Sequence, residues 1–326
     1  MKILKTIEKI PGGMMMIPLL LGCVVNTFFP AFLEIGGFTT ALFSNKGAPT
    51  LVGMFIFCCG ASINVKQFGM PFYKGAILTI VKFAIGTILG VMVGYLFGTE
   101  GIIGITPLAV IAAITNSNSV MYSILARQYG VPSDVGAISL LALNDGPFFT
   151  MIALGVSGLA NIPFMAIVAV LVPLLLGMLL GNLDEDFRNL CEKGLPIIIP
   201  FNGFCLGAGM NLRDIVKAGV PGIILGLVCL VSTGFGCYFA YNLFFGRKKK
   251  SAVGAALGTT AGNAVATPRA LGEADPALAS YANTATAQVA AACVVTAILC
   301  PLFTSFMHKR LQKKNLIPLD EKAESI

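Results

Sequence analysis

The sequence contains no tryptophan, one histidine and only 11% charged residues, and each shortage excludes a class of protein. A soluble domain carries about a quarter of its residues as Asp, Glu, Lys or Arg, so a water-soluble globule is excluded. The histidine, His308, stands in a basic tail, and no Cys/His group has the spacing of a zinc or haem site. No Gly-x-x-x-x-Gly-Lys-Ser/Thr loop occurs, which argues against an ATP-driven pump. An intramembrane protease needs paired aspartates, a serine with a histidine, or a histidine metal cluster. The apolar segments offer one aspartate and no histidine, so the chain reads as a transporter rather than an enzyme, with no cofactor and no metal.

What is abundant is apolar: 56% hydrophobic residues, with 37 Gly and 17 Pro and a mean hydropathy of +0.86. Eight of the nine cysteines lie in apolar runs and Cys191 in a charged loop, as small packing residues. A membrane crossing takes about 20 mainly apolar residues. Cutting at charges and Pro/Gly clusters predicts ten spans, at 14–33, 50–65, 74–98, 104–127, 134–158, 162–182, 195–212, 221–245, 251–270 and 277–307. Lys2, Lys5 and Lys9 precede the first, which has no small-x-small cleavage site and reads as an uncleaved span. With the N-terminus inside, seventeen Lys and Arg fall on the inner side, against Lys46, Arg213, Lys217 and Arg269 outside and Lys82 within the third span. The positive-inside rule then puts both termini in the cytoplasm. The net charge of +7 reflects topology, not nucleic-acid binding.

The two halves resemble each other. Pro18-Leu19-Leu20-Leu21-Gly22 returns as Pro173-Leu174-Leu175-Leu176-Gly177, and Gly60-Ala61-Ser62-Ile63-Asn64 as Gly207-Ala208-Gly209-Met210-Asn211. Thr115, Asn118 and Val120 return as Thr260, Asn263 and Val265. Five spans per half make the repeats inverted, an arrangement characteristic of secondary transporters with substrate near the midplane. The first repeat is 1–158, the second 159–311, and 312–326 is a cytoplasmic tail.

Thr115-Asn116-Ser117-Asn118-Ser119 interrupts the fourth span, and Thr259-Thr260-Ala261-Gly262-Asn263, followed by Pro268, interrupts the ninth. Unpaired polar groups are tolerated at membrane depth only inside protein or along a cavity, so two broken helices are expected to cross. Their half-helix N-termini favour an anionic group, and Ser, Thr and Asn suit hydroxyls; together they point to a small hydroxylated acid. The structural alternative is interhelical hydrogen bonding alone. Asp145, in Asn144-Asp145-Gly146-Pro147, is the one carboxylate well inside a span. It carries a coupling proton, helps bind sodium, or pairs with Lys82. Lys82 is expected to snorkel to the cytoplasmic interface. Arg269 either meets a substrate carboxylate or sits at the outer surface, and Arg127 reads as a topology marker. Glycines at 86, 90, 94 and 98 and at 254, 258 and 262 form packing strips.

Ile10-Pro11-Gly12-Gly13-Met14-Met15-Met16-Ile17-Pro18-Leu19, Gly60-Ala61-Ser62-Ile63-Asn64, Ala113-Ile114-Thr115-Asn116-Ser117-Asn118, Leu143-Asn144-Asp145-Gly146-Pro147 and Thr259-Thr260-Ala261-Gly262-Asn263-Ala264 together resemble the bacterial 2-keto-3-deoxygluconate permease family. The resemblance runs to about Leu311. It implies proton-driven uptake of that sugar acid across the inner membrane. It also implies the fold of the bile-acid, arsenite and riboflavin transporter superfamily: an all-α polytopic membrane protein of ten helices in two inverted five-helix repeats. In that fold a panel (14–33, 50–65, 162–182, 195–212) faces a core built around crossed, broken fourth and ninth helices. The sodium-coupled bile-acid relatives carry a glutamate in the ninth helix, whereas no acid lies between Ser251 and Leu271; this favours a proton. The expected substrate-binding set is Thr115, Asn116, Ser117, Asn118, Ser119, Thr260, Asn263, Asn144, Gln288 and Arg269, with Asp145 as proton carrier. A sodium-coupled carrier of another small organic anion is the alternative.

Overall fold

The computed structural model describes residues 3–8, 13–65, 69–141, 147–246 and 250–316. Asn144 and Asp145 lie outside the described residues. Those described are helical, with one isolated bridge between Ile102 and Ile105 and no strand.

The helices are α1 Ile3–Glu8, α2 Gly13–Phe28, α3 Gly37–Phe43, α4 Ala48–Ser62, α5 Met70–Phe97, α6 Pro107–Thr115, α7 Ser119–Tyr129, α8 Pro132–Gly136, α9 Ile138–Leu141, α10 Pro147–Val156, α11 Phe164–Leu183, α12 Glu185–Gly207, α13 Leu212–Phe244, α14 Thr267–Ala274 and α15 Pro276–Lys313. Four stretches, Met70–Phe97, Phe164–Leu183, Ala218–Phe244 and Pro276–Lys313, are long and apolar enough to cross a membrane alone. Two bent pairs, Gly37–Phe43 with Asn45–Ser62 and Pro107–Thr115 with Ser119–Tyr129, bring the number to six.

The structure moves several expected boundaries, each for a local reason. The first helix stops at Phe28, because Pro30 opens a separate 3-10 turn. The 134–158 segment is divided among α8, α9 and α10. The seventh helix starts ten residues early: Asp184 accepts hydrogen bonds from the Asp186 and Phe187 N–H groups, so the acidic run expected as a loop caps a helix. Cys191 is therefore buried on α12. The eighth helix begins at Leu212 rather than at 221. The ninth segment is hardly α-helical, with 3-10 turns at Val253–Leu257 and Asn263–Ala266 on either side of residues 258–262.

Close packing follows the sequence repeat. A Cβ on Gly60 would strike the Leu174 carbonyl, and one on Gly207 would strike the carbonyl of Leu19, the repeat counterpart of Leu174. The Asn182 side-chain amide donates to the Ile63 carbonyl at 2.7 Å, and that of Asn26 to Met210, the counterpart of Ile63, at 2.8 Å. Thus α2 packs on α12 and α4 on α11, each pair drawn from both halves; small residues let their backbones approach. The glycine strip of α5 serves α6: side chains at Gly86 and Gly90 would enter Thr115 and Ile111. Gly98 instead caps α5 at φ +69°, in the left-handed region.

Candidate functional site

Asn118 turns the chain out of α6 and into α7. Its Oδ1 accepts the Met121 N–H at 2.9 Å as the N-cap, and α6 and α7 meet at 41°. The two breaks touch directly: the Asn118 N–H donates to Thr259 Oγ1 at 3.1 Å. Around this contact α7 lies against the Val253–Leu257 turn, while α6 lies against Asn263–Ala266 and α14. The start of α7 thereby lies beside the Thr259 side chain.

Thr115 Oγ1 donates to the Ile111 carbonyl at 2.7 Å and lies 3.1 Å from Thr150 Oγ1. Asn116 Nδ2 donates to the Ala112 carbonyl at 2.7 Å. Asn116 thereby bonds one of the last four carbonyls of α6, while Thr115 bonds back one turn within the helix. In the second break the Thr260 N–H donates to Thr296 Oγ1 at 3.0 Å, and the Thr260 hydroxyl contacts Cys229 Sγ at 3.4 Å. Buried Asn116 Oδ1, Ser117 Oγ and Asn263 Nδ2 have no hydrogen-bond partner. Buried polar atoms are normally satisfied, so these three stand out as exceptions at the breaks. Ser119, the first residue of α7, is buried and lines a cavity of about 520 Å³.

Two expected contacts sit elsewhere. Gln288 donates to the Gly104 carbonyl at 2.7 Å, on the far side of nine-residue α6, about 13 Å from Asn116 along its axis. Arg269 donates to the Gly209 carbonyl at 2.7 Å and to Asn283 Oδ1 at 3.0 Å, and lines a second cavity of about 350 Å³ between α4, α11, α10 and α14.

Three side chains enter the picture that sequence reasoning missed or misplaced. Lys82 does not snorkel: it is fully buried, and Nζ donates to the Leu257 and Thr259 carbonyls at 2.6 and 2.5 Å. Its charge sits where the Val253–Leu257 turn exposes its carbonyl end, which carries negative partial charge. Among the described residues no carboxylate forms an ion pair with it. Asp134 is fully buried, paired with Lys74 at 2.5 Å and accepting from the Tyr241 hydroxyl at 2.7 Å. Asn202 is buried on α12, which packs against Asn263–Ala266, and its Oδ1 has no partner. An asparagine in an apolar stretch was its available signal. Among the described residues no cluster of three His, Cys, Asp or Glu is placed to hold a metal ion.

Over 91% of both chains the fold is similar to that of the sodium proton antiporter MjNhaP1 from Methanocaldococcus jannaschii, with a TM-score of 0.54 at 15% identity. In sequence, the chain is 51% identical over 310 residues to 2-keto-3-deoxygluconate permease 1 of Salmonella typhimurium, covering 95% of this chain and 96% of the relative. It is 40% identical over 320 residues to the 2-keto-3-deoxygluconate permease of Bacillus subtilis, covering 96% of each. The family profile described as 2-keto-3-deoxygluconate permease matches residues 4–313, and the chain belongs to that family of membrane transporters.

Proposed function

We propose that the protein takes up 2-keto-3-deoxygluconate across the bacterial inner membrane by proton symport. The observation that carries this reading is the crossing itself: two broken segments joined through Asn118 and Thr259, with buried polar atoms of Asn116, Ser117 and Asn263 unpartnered. Half-helix N-termini and the buried ammonium of Lys82 supply positive potential for one carboxylate. The neutral side chains Thr115, Asn116, Ser117, Asn118, Ser119, Thr260 and Asn263 supply contacts for hydroxyls. Asn202 joins this set from the panel side.

Transport proceeds by alternating access. The α2, α4, α11 and α12 panel and the core around the crossing rock against each other, with the two halves acting as inverted repeats. Cavities on the two flanks of α4, lined by Ser119 on one side and Arg269 on the other, support this reading. Asp145, which precedes Pro147 of α10 by two positions, exchanges the coupling proton.

Uptake of labelled 2-keto-3-deoxygluconate into liposomes holding the purified protein tests the proposal. Accumulation is expected under an inward proton gradient, with abolition by a protonophore and none under an inward sodium gradient. Accumulation driven by sodium alone, or by protons in an Asp145→Asn variant, contradicts the coupling scheme.

A further inference from the structure

The face of α7 that leaves the crossing is polar along its length. Ser119, Ser123 and Arg127 recur every four residues and all line the cavity of about 520 Å³ between α4, α12 and α7–α9. On a helix this spacing puts them on one face. The track begins beside Asn118, whose N–H is bonded to Thr259, and reaches Arg127 about 12 Å further along the axis.

The opposite wall carries Arg188 and Glu192 of α12. Arg188 also donates through Nε and Nη2 to the Gly181 carbonyl at 2.9 and 2.6 Å. Among the described residues of this lining, two guanidiniums stand against one carboxylate. In the 350 Å³ cavity Arg269 faces one acid, Glu273, among largely apolar neighbours. The two cavities are therefore not electrostatically equivalent, and the larger one suits an anion bearing hydroxyl groups.

We propose that the Ser119–Ser123–Arg127 face is a second binding position for the sugar acid, where Arg127 holds the carboxylate after it leaves the crossing. The proposal rests on the reading that 2-keto-3-deoxygluconate passes through the crossing. It makes Arg127 a one-sided specificity residue: it recognises substrate from the side onto which this cavity opens, assigned as cytoplasmic, and not from the other.

The test uses the full chain in right-side-out and inside-out membrane vesicles, with half-saturation for labelled 2-keto-3-deoxygluconate measured from each face. Arg127→Gln is expected to raise half-saturation about 10-fold at the cytoplasmic face and by less than about twofold at the other, because a charge-assisted fork to a carboxylate is lost. Arg127→Lys is expected to fall between, keeping the charge without the planar fork. Equal rises at both faces, or none, in a variant of wild-type thermal stability overturn the proposal. If Arg127→Gln fails to fold, Ser123→Ala takes its place. It is expected to raise cytoplasmic half-saturation about threefold, and no change there refutes the second position. A wild-type protein that carries no 2-keto-3-deoxygluconate removes the underlying function as well, a result distinct from failure at Arg127 alone.

Discussion

The two breaks occupy corresponding places in the two halves, yet they are held in opposite ways. The first, at Asn116–Asn118, is satisfied largely from within: Thr115 and Asn116 bond the α6 carbonyls, and Asn118 caps α7. The second, at 258–262, is Gly-Thr-Thr-Ala-Gly and draws its partners from distant helices. Lys82 and Thr233 donate to the Leu257 carbonyl, Lys82 donates also to that of Thr259, and Thr296 accepts the Thr260 N–H. A self-capped break is a local property of its sequence. A break capped from outside depends on α5, α13 and α15, so movement of those helices is transmitted to it.

Four substitutions sharpen this contrast, from the largest expected effect to the smallest. Lys82→Met leaves the Thr259 carbonyl without its donor, at a cost of about 1–3 kcal/mol, and removes the buried positive charge. Uptake is expected to fall to background in proteoliposomes, with a lower unfolding temperature in detergent. Asn118→Ala removes the α7 cap for about 1 kcal/mol and is expected to reduce uptake severalfold. Thr259→Val keeps the shape but deletes the acceptor joining the breaks, costing about 1 kcal/mol; its signature is reduced turnover with little change in the α7 amides, read by hydrogen exchange. Thr233→Val should matter least, at about 0.5–1 kcal/mol, because Lys82 still donates to Leu257. If Thr233→Val proved as harmful as Lys82→Met, the second break would not depend chiefly on the lysine.

The same contrast explains what could be read in the sequence. The first break was legible because five adjacent polar residues, Thr115 to Ser119, announce it, and Asn118 is a strong N-cap type. The loss of α-helix across the second was only partly legible. Pro268 and the glycines marked trouble, but Val253–Leu257 is apolar and carries no sign of a 3-10 turn. Lys82 was misplaced because its acceptors lie 175 and 177 residues away, beyond any local pattern. Asp134 stands at the very edge of the predicted 134–158 span, where an acid is expected to meet water; it does accept the Val131 N–H at 2.8 Å, but it is buried beside Lys74 and Tyr241. The start of α12 was missed for the reverse reason, a charged run taken for loop where Asp184 is a cap. The repeat was visible because its glycines meet backbone carbonyls, leaving no room for a side chain.

The central claim is that the sugar acid binds where the two breaks meet. Calorimetric titration of 2-keto-3-deoxygluconate into purified wild type and into an Asn116→Leu/Asn263→Leu double variant tests it most directly. The account predicts at least about a 10-fold loss of affinity in a variant that still elutes as folded protein, since two buried hydrogen-bonding groups are removed. An unchanged dissociation constant in that folded variant would contradict it.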